Sequence, residues 1–89
     1  MLLKKWNYNT REYDPFEVSD ALNVKAFSED MAEIVNCASC GRKLFFGDTY
    51  CSLEIHTKAG FGYGVCEDCN MHEWQRKRAA MKNEKEIST

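Results

Sequence analysis

Cys37-Ala38-Ser39-Cys40-Gly41 and Cys66-Glu67-Asp68-Cys69 are the stretches whose reading decides the fold. Residues 41–65, twenty-five in all, separate the two pairs. A C-x-x-C pair wraps a tight turn so that two sulfurs and nearby backbone N–H groups face one ion. Two such pairs supply four soft donors, the set of a closed tetrahedral zinc site. Cys37, Cys40, Cys66 and Cys69 are therefore read as ligands of one structural zinc. Two disulfides, a redox dithiol and four-thiolate iron are the competing readings. No βαβ pattern surrounds either pair, which argues against the redox dithiol.

Working outward, Gly41 lets the chain turn past Cys40, and Lys43-Leu44-Phe45-Phe46 reads as a strand closed by Gly47-Asp48. In the next strand Thr49, Cys51, Leu53 and Ile55 share one face, with Tyr50, Ser52, Glu54 and His56 on the other. Cys51 then reads as a small buried hydrophobe. Thr57-Lys58-Ala59-Gly60 is a turn. Phe61, Tyr63 and Val65 alternate with Gly62 and Gly64 in the returning strand. The two glycines leave a bare face, read as close packing rather than a groove.

A helix opens with the second pair. Met71, Trp74, Arg78 and Met81 recur at helical spacing and predict a stripe facing the sheet. Arg76, Lys77, Arg78, Lys82 and Lys85 balance Glu67, Asp68, Glu73, Glu84 and Glu86, and residues 85–89 are expected to fray.

Residues 1–36 form an N-terminal β-rich arm, and residues 37–89 the four-cysteine module. In the arm Trp6, Tyr8 and Thr10 alternate with polar residues as in a half-buried strand. Asp14-Pro15 reads as a turn, Val24–Phe27 as a short strand, and Ser28 as the cap of a brief helical turn through Met31. Four cations in the arm (Lys4, Lys5, Arg11, Lys25) face seven acids, giving −3. A solvated acidic face is the plain reading. The functional reading is a surface for a basic partner, carried by Glu29, Asp30 and Glu33.

With 89 residues the chain is one domain with a small core, for which a metal clip is a usual remedy. The formal charge of −2 becomes −4 once four thiolates and one zinc are counted, which disfavours nonspecific nucleic-acid binding. No apolar run reaches transmembrane length and the start lacks a signal-peptide core, so a cytosolic, reducing setting is expected.

Knuckle, hairpin and a second pair at a helix start resemble the treble-clef zinc fingers, over residues 34 to about 83. The implied class is α+β: a zinc-stabilised treble-clef-like module with an N-terminal β-rich arm. That scaffold hosts many functions. HNH-type nucleases share the two pairs and a histidine where His56 stands. Here Ile55 precedes that histidine, residues 57–65 hold no Asn, and His72 is the lone candidate for a final ligand. With an aromatic, acidic arm (Trp6, Tyr8, Tyr13, Phe16) ahead of the Cys37–Gly41 knuckle, the chain also resembles small zinc proteins of phages and prophages of Gram-positive bacteria, among them anti-CRISPR inhibitors of the type II effector nuclease. That resemblance implies a noncatalytic inhibitor that binds the effector and blocks nucleic-acid loading. The alternative is a nucleic-acid-binding zinc finger acting through Arg76, Lys77, Arg78 and Lys82.

Overall fold

A computed structural model describes residues 1–87, with side chains through residue 82. Seven elements follow in order: β1 (Leu2–Asn7), β2 (Glu12–Glu17), β3 (Ile34–Asn36), β4 (Lys43–Phe45), β5 (Tyr50–His56), β6 (Gly62–Val65) and α1 (Glu67–Ile87). A 3-10 turn, Phe46–Asp48, links β4 to β5. The class is small α+β. One antiparallel sheet has the order β2-β1-β5-β6, and β3 pairs with β4 in a second. The arm thus extends the main sheet, with Lys4 opposite His56 and Lys5 opposite Ile55.

The apolar core is narrow. Leu3, Val18, Val24, Ile55 and Val65 meet Cys37, Ala38 and Cys66 between sheet and knuckle, with Phe16, Leu22, Leu44 and Tyr63 packed around them. No helix is long and apolar enough to cross a membrane.

Three local expectations in the arm are corrected. Asp14-Pro15 is no turn; both residues lie inside β2. That strand is at the sheet edge, where a missing N–H disturbs no second ladder. The chain reverses instead over residues 8–11. There Asn7 Oδ1 accepts the N–H groups of Asn9 (2.9 Å) and Thr10 (3.3 Å), and Arg11 takes a left-handed φ of 57°. Val24–Phe27 forms no strand, although the Lys25 carbonyl accepts the Gly64 N–H at 2.8 Å. Ser28 caps no helix. Its Oγ accepts the Asp30 N–H (3.1 Å), Asp30 Oδ1 accepts that of Ala32 (2.9 Å), and these side-chain turns replace the helical one.

Strand β5 departs most from the expected alternation. Its pairing with β6 shifts register between Cys51 and His56. A bulge places an extra residue on one strand and re-aims the side chains beyond it. Ser52, Glu54 and Ile55 are consequently all buried, while Cys51 is exposed and not a core residue. Gly62 is required where the strands close up, since a Cβ there would lie 2.4 Å from the Ser52 carbonyl oxygen. The close-packing reading of the bare face therefore holds at this residue.

Candidate metal centre and the polar core beside it

β3 ends at Asn36, and Cys37 begins the knuckle. The Cys37 N–H donates to the Arg42 carbonyl (2.7 Å) and the Gly41 N–H to the Cys37 carbonyl (2.8 Å). Gly41 has φ 82°, a conformation that resists any other residue. Asn36 Nδ2 donates to the Gly41 carbonyl at 2.9 Å and fixes the turn from outside. On the other side β6 delivers Cys66 to the N-terminus of α1, and Cys69 lies in its first turn. Anionic sulfur is favoured there by the helix dipole.

The four Sγ atoms of Cys37, Cys40, Cys66 and Cys69 lie within 4.8 Å of one another. Cys40 and Cys66 sulfurs are 3.8 Å apart. A tetrahedron with metal–sulfur bonds of ~2.3 Å has edges of ~3.8 Å, so this spacing suits an ion at the centre. A disulfide needs ~2.05 Å, and all five cysteines are free. The Cys37 sulfur also receives the N–H groups of Cys40 (3.4 Å) and Cys66 (3.3 Å), the hydrogen bonding expected around a buried thiolate.

Without a cation two of these thiols, Cys69 and Cys40, resist ionisation. Burial pushes Cys69 up to about 12 and raises Cys40 as well. For Cys66 burial opposes ionisation, but the Cys69 N–H and the neighbouring thiols outweigh it and lower its pKa. Four thiolates this close therefore require a positive ion among them, and loading one releases protons.

Two turns further along α1 stands a second cluster, which the sequence pattern did not reveal. Glu54 on β5 and Glu73 on α1 are each only 1% exposed. Arg76 clamps Glu54 in a two-pronged pair, Nε to Oε2 and Nη2 to Oε1, both 2.8 Å. Glu73 accepts from Ser52 Oγ (2.5 Å) and from the Leu53 N–H (3.1 Å). The same hydroxyl accepts the N–H groups of Glu54 (3.1 Å) and Ile55 (2.9 Å), which the bulge removes from the ladder. Among the described residues no buried side-chain nitrogen or oxygen lacks a partner. The predicted helix stripe is overturned by this cluster. Met71, Trp74 and Met81 are exposed, and among the described side chains of α1 Glu73 is the one buried. Burial raises the Tyr8 pKa, helped by the Glu54 and Glu73 charges.

The remaining singled-out residues are dispersed. Glu33 is engaged within its loop, accepting from Ser28 Oγ (2.6 Å) and Asn23 Nδ2 (3.2 Å), chiefly the first of which lowers its pKa. Glu29 and Asp30 are exposed beside it. Near them Phe27 (73% exposed), Met31, Ile34 and Phe45 also face solvent. Ile34 stands opposite Phe45 in the β3–β4 pair, and the Met31 carbonyl accepts the Gly47 N–H. His56 Nδ1 lies 3.1 Å from the Tyr13 hydroxyl. His72 is exposed on α1, and neither histidine joins the sulfur cluster. Of the basic helix flank, Arg76 is engaged by Glu54, Lys77 leans over Trp74, and Arg78 and Lys82 are exposed. Lys85 and the residues expected to fray lie outside the described side chains.

No family model, curated protein or solved structure matches this chain.

Proposed function

We propose that the chain is a noncatalytic, zinc-clamped protein-interaction module of treble-clef-like build, working in a reducing compartment such as the cytosol. The carrying observation is a set of exposed apolar side chains, Met31, Ile34 and Phe45, on the β3–β4 pair and the loop before it, with exposed Phe27, Glu29 and Asp30 in that same loop. Large exposed apolar side chains gathered in one region mark interaction sites more often than bare surface. Glu29 and Asp30 select a partner with a basic face and speed its encounter. Glu33 serves this surface by holding the loop through Ser28 and Asn23. Zinc takes no part in chemistry; bound by Cys37, Cys40, Cys66 and Cys69 it holds knuckle and helix together, and so holds the β3–β4 platform.

The narrowest form of this reading rests on the resemblance to phage-encoded zinc proteins. The partner is then a type II CRISPR effector, whose nucleic-acid channel is positively charged. Co-elution of the zinc-loaded protein with guide-bound effector on a sizing column, paired with a DNA-cleavage assay, tests it. Co-elution with lost cleavage supports the inhibitor. Full cleavage without co-elution removes it. Phe27→Ala with Glu29→Lys must abolish capture of whichever basic partner is found, and retention of binding would sink the surface assignment.

A further inference from the structure

A second surface, opposite in sign to the first, lies across the face of β1 and β2. Lys4 and Trp6 share one side of β1, with Tyr13 opposite Trp6 and His56 opposite Lys4. Trp6 and Tyr13 meet edge to face at 5.0 Å, and Tyr13 and His56 at 5.6 Å. Lys4 Nζ lies 4.2 Å above the Tyr13 ring, and Lys77 Nζ lies 5.0 Å from that of Trp74. Between hairpin and helix lies a cleft of about 290 Å³, lined by Trp6, Tyr8, Tyr13, Leu53, His56 and Lys77. Lys4 stands at its margin over the Tyr13 ring, with Nζ also 3.4 Å from the Lys58 carbonyl. Among the described residues no carboxylate lines it. Glu54 and Glu73 are buried and engaged by Arg76, Ser52 and the Leu53 N–H.

We infer that this cleft binds single-stranded nucleic acid, one base stacking on Trp6 and Tyr8 while Lys4 and Lys77 meet the flanking phosphates. Three ligand classes compete for an aromatic cleft, and the charges decide among them. An ammonium ligand of the aromatic-cage kind would meet two ammonium groups already present, one of them on the Tyr13 ring. A purely apolar ligand would leave the two lysines desolvated to no purpose. A base with its phosphates uses both the rings and the cations, a local attraction set against the net negative charge of the chain. Duplex fits poorly, because its bases are stacked away from the cleft. The rings also continue past the cleft, since Trp6 and Tyr8 line a neighbouring hollow of about 450 Å³ that holds Lys5 and Arg76. Asp14 and Glu54 offset those two cations there, so the first cleft is the base site. The inference is independent of the protein partner proposed above, whose surface lies on the 27–34 loop and β4.

The test is fluorescence anisotropy of a labelled oligothymidylate against the zinc-loaded chain at about 50 mM salt, with tryptophan emission followed alongside. Binding should quench tryptophan and weaken as salt rises, with a slope of about −0.7 per phosphate contacted. Trp6→Ala should weaken binding about tenfold or more, within the range for one stacked base. Trp6→Phe, which keeps a ring and guards against misfolding, should retain most of the affinity. Lys4→Glu with Lys77→Glu should abolish binding at that salt, whereas Lys43→Glu on β4 should not matter. No anisotropy change at about 100 μM protein, the weak limit of nonspecific binding, would overturn the inference. So would equal affinity for a duplex, or affinity indifferent to Trp6→Ala and to the double charge reversal.

Discussion

At the start of α1 four thiols lie within 4.8 Å of one another, close enough to coordinate a metal ion. Two turns later two carboxylates, a guanidinium and a hydroxyl converge without one. Both clusters pin the same helix, the first to the knuckle that follows β3 and the second to β5 of the main sheet. The cysteine cluster depends on a component from outside, so its contribution varies with metal supply and pH. The Glu54–Arg76 and Glu73–Ser52 cluster is self-contained, and it depends on every member being present. Breaking a buried ion pair costs more than the pair itself contributes, because the surviving charge is left without a partner.

The comparison breaks most visibly at the cysteines. Cys40→Ser, or a strong chelator, should unfold the whole chain. Structural zinc supplies about 10–16 kcal/mol, against a typical total stability of about 5–15 kcal/mol. Loss of near-UV circular dichroism and of dispersed amide signals would show it. Persistence of the β1, β2 and β5 signals after chelation would instead mean that the polar cluster holds its half alone.

A smaller effect is expected at the ion pair. Arg76→Ala strands the buried Glu54 carboxylate and should cost about 3 kcal/mol, the low end for such a pair because the Arg76 side chain is half exposed. Glu54→Leu combined with Arg76→Met should recover most of that loss in a urea titration. Failure to recover would show that the pair does more than satisfy itself. Next comes Ser52→Ala, which deprives Glu73 and two bulge N–H groups of their partner. A loss of about 1–3 kcal/mol is expected, with m unchanged.

The smallest effect concerns pH. Burial and then the Lys4 charge lower the His56 pKa from 6.5, so the folded state favours the neutral ring. The unfolded chain takes up that proton more readily. This contribution is therefore intact above about pH 6.5 and is lost as pH falls through the lower folded pKa. His56→Gln should flatten that part of the stability–pH curve. Acid also releases metal from the thiolates in both proteins, so the difference between them is the quantity to read.

The two clusters differ as much in legibility as in chemistry. C-x-x-C spacing fixes sulfur positions through a local turn, so four ligand candidates and the order of knuckle, hairpin and helix could be read without knowing any contact. Glu54 and Glu73 gave no such signal. A carboxylate in sequence reads as surface, and these are buried because α1 covers the β5 face that Ser52 and Glu54 share. The β5 bulge breaks the alternation that had placed Cys51 in the core with Ile55. The helix stripe failed for the related reason that Met71, Trp74 and Met81 carry the apolar period while the sheet below offers polar partners. Pro15 misled because its meaning depends on whether a strand lies at an edge, which is a property of the assembled sheet.

Pro15 has a consequence for growth. The outer edge of β2 carries Glu12, Asp14 and Glu17 as well as the proline, and each discourages another chain from adding a strand there. At the opposite edge the Gly64 N–H and carbonyl are already taken, by the Lys25 carbonyl and the Ala38 N–H. With both edges of this sheet obstructed, strand addition by a partner or by a second copy is disfavoured there, and recognition across its faces falls to side chains.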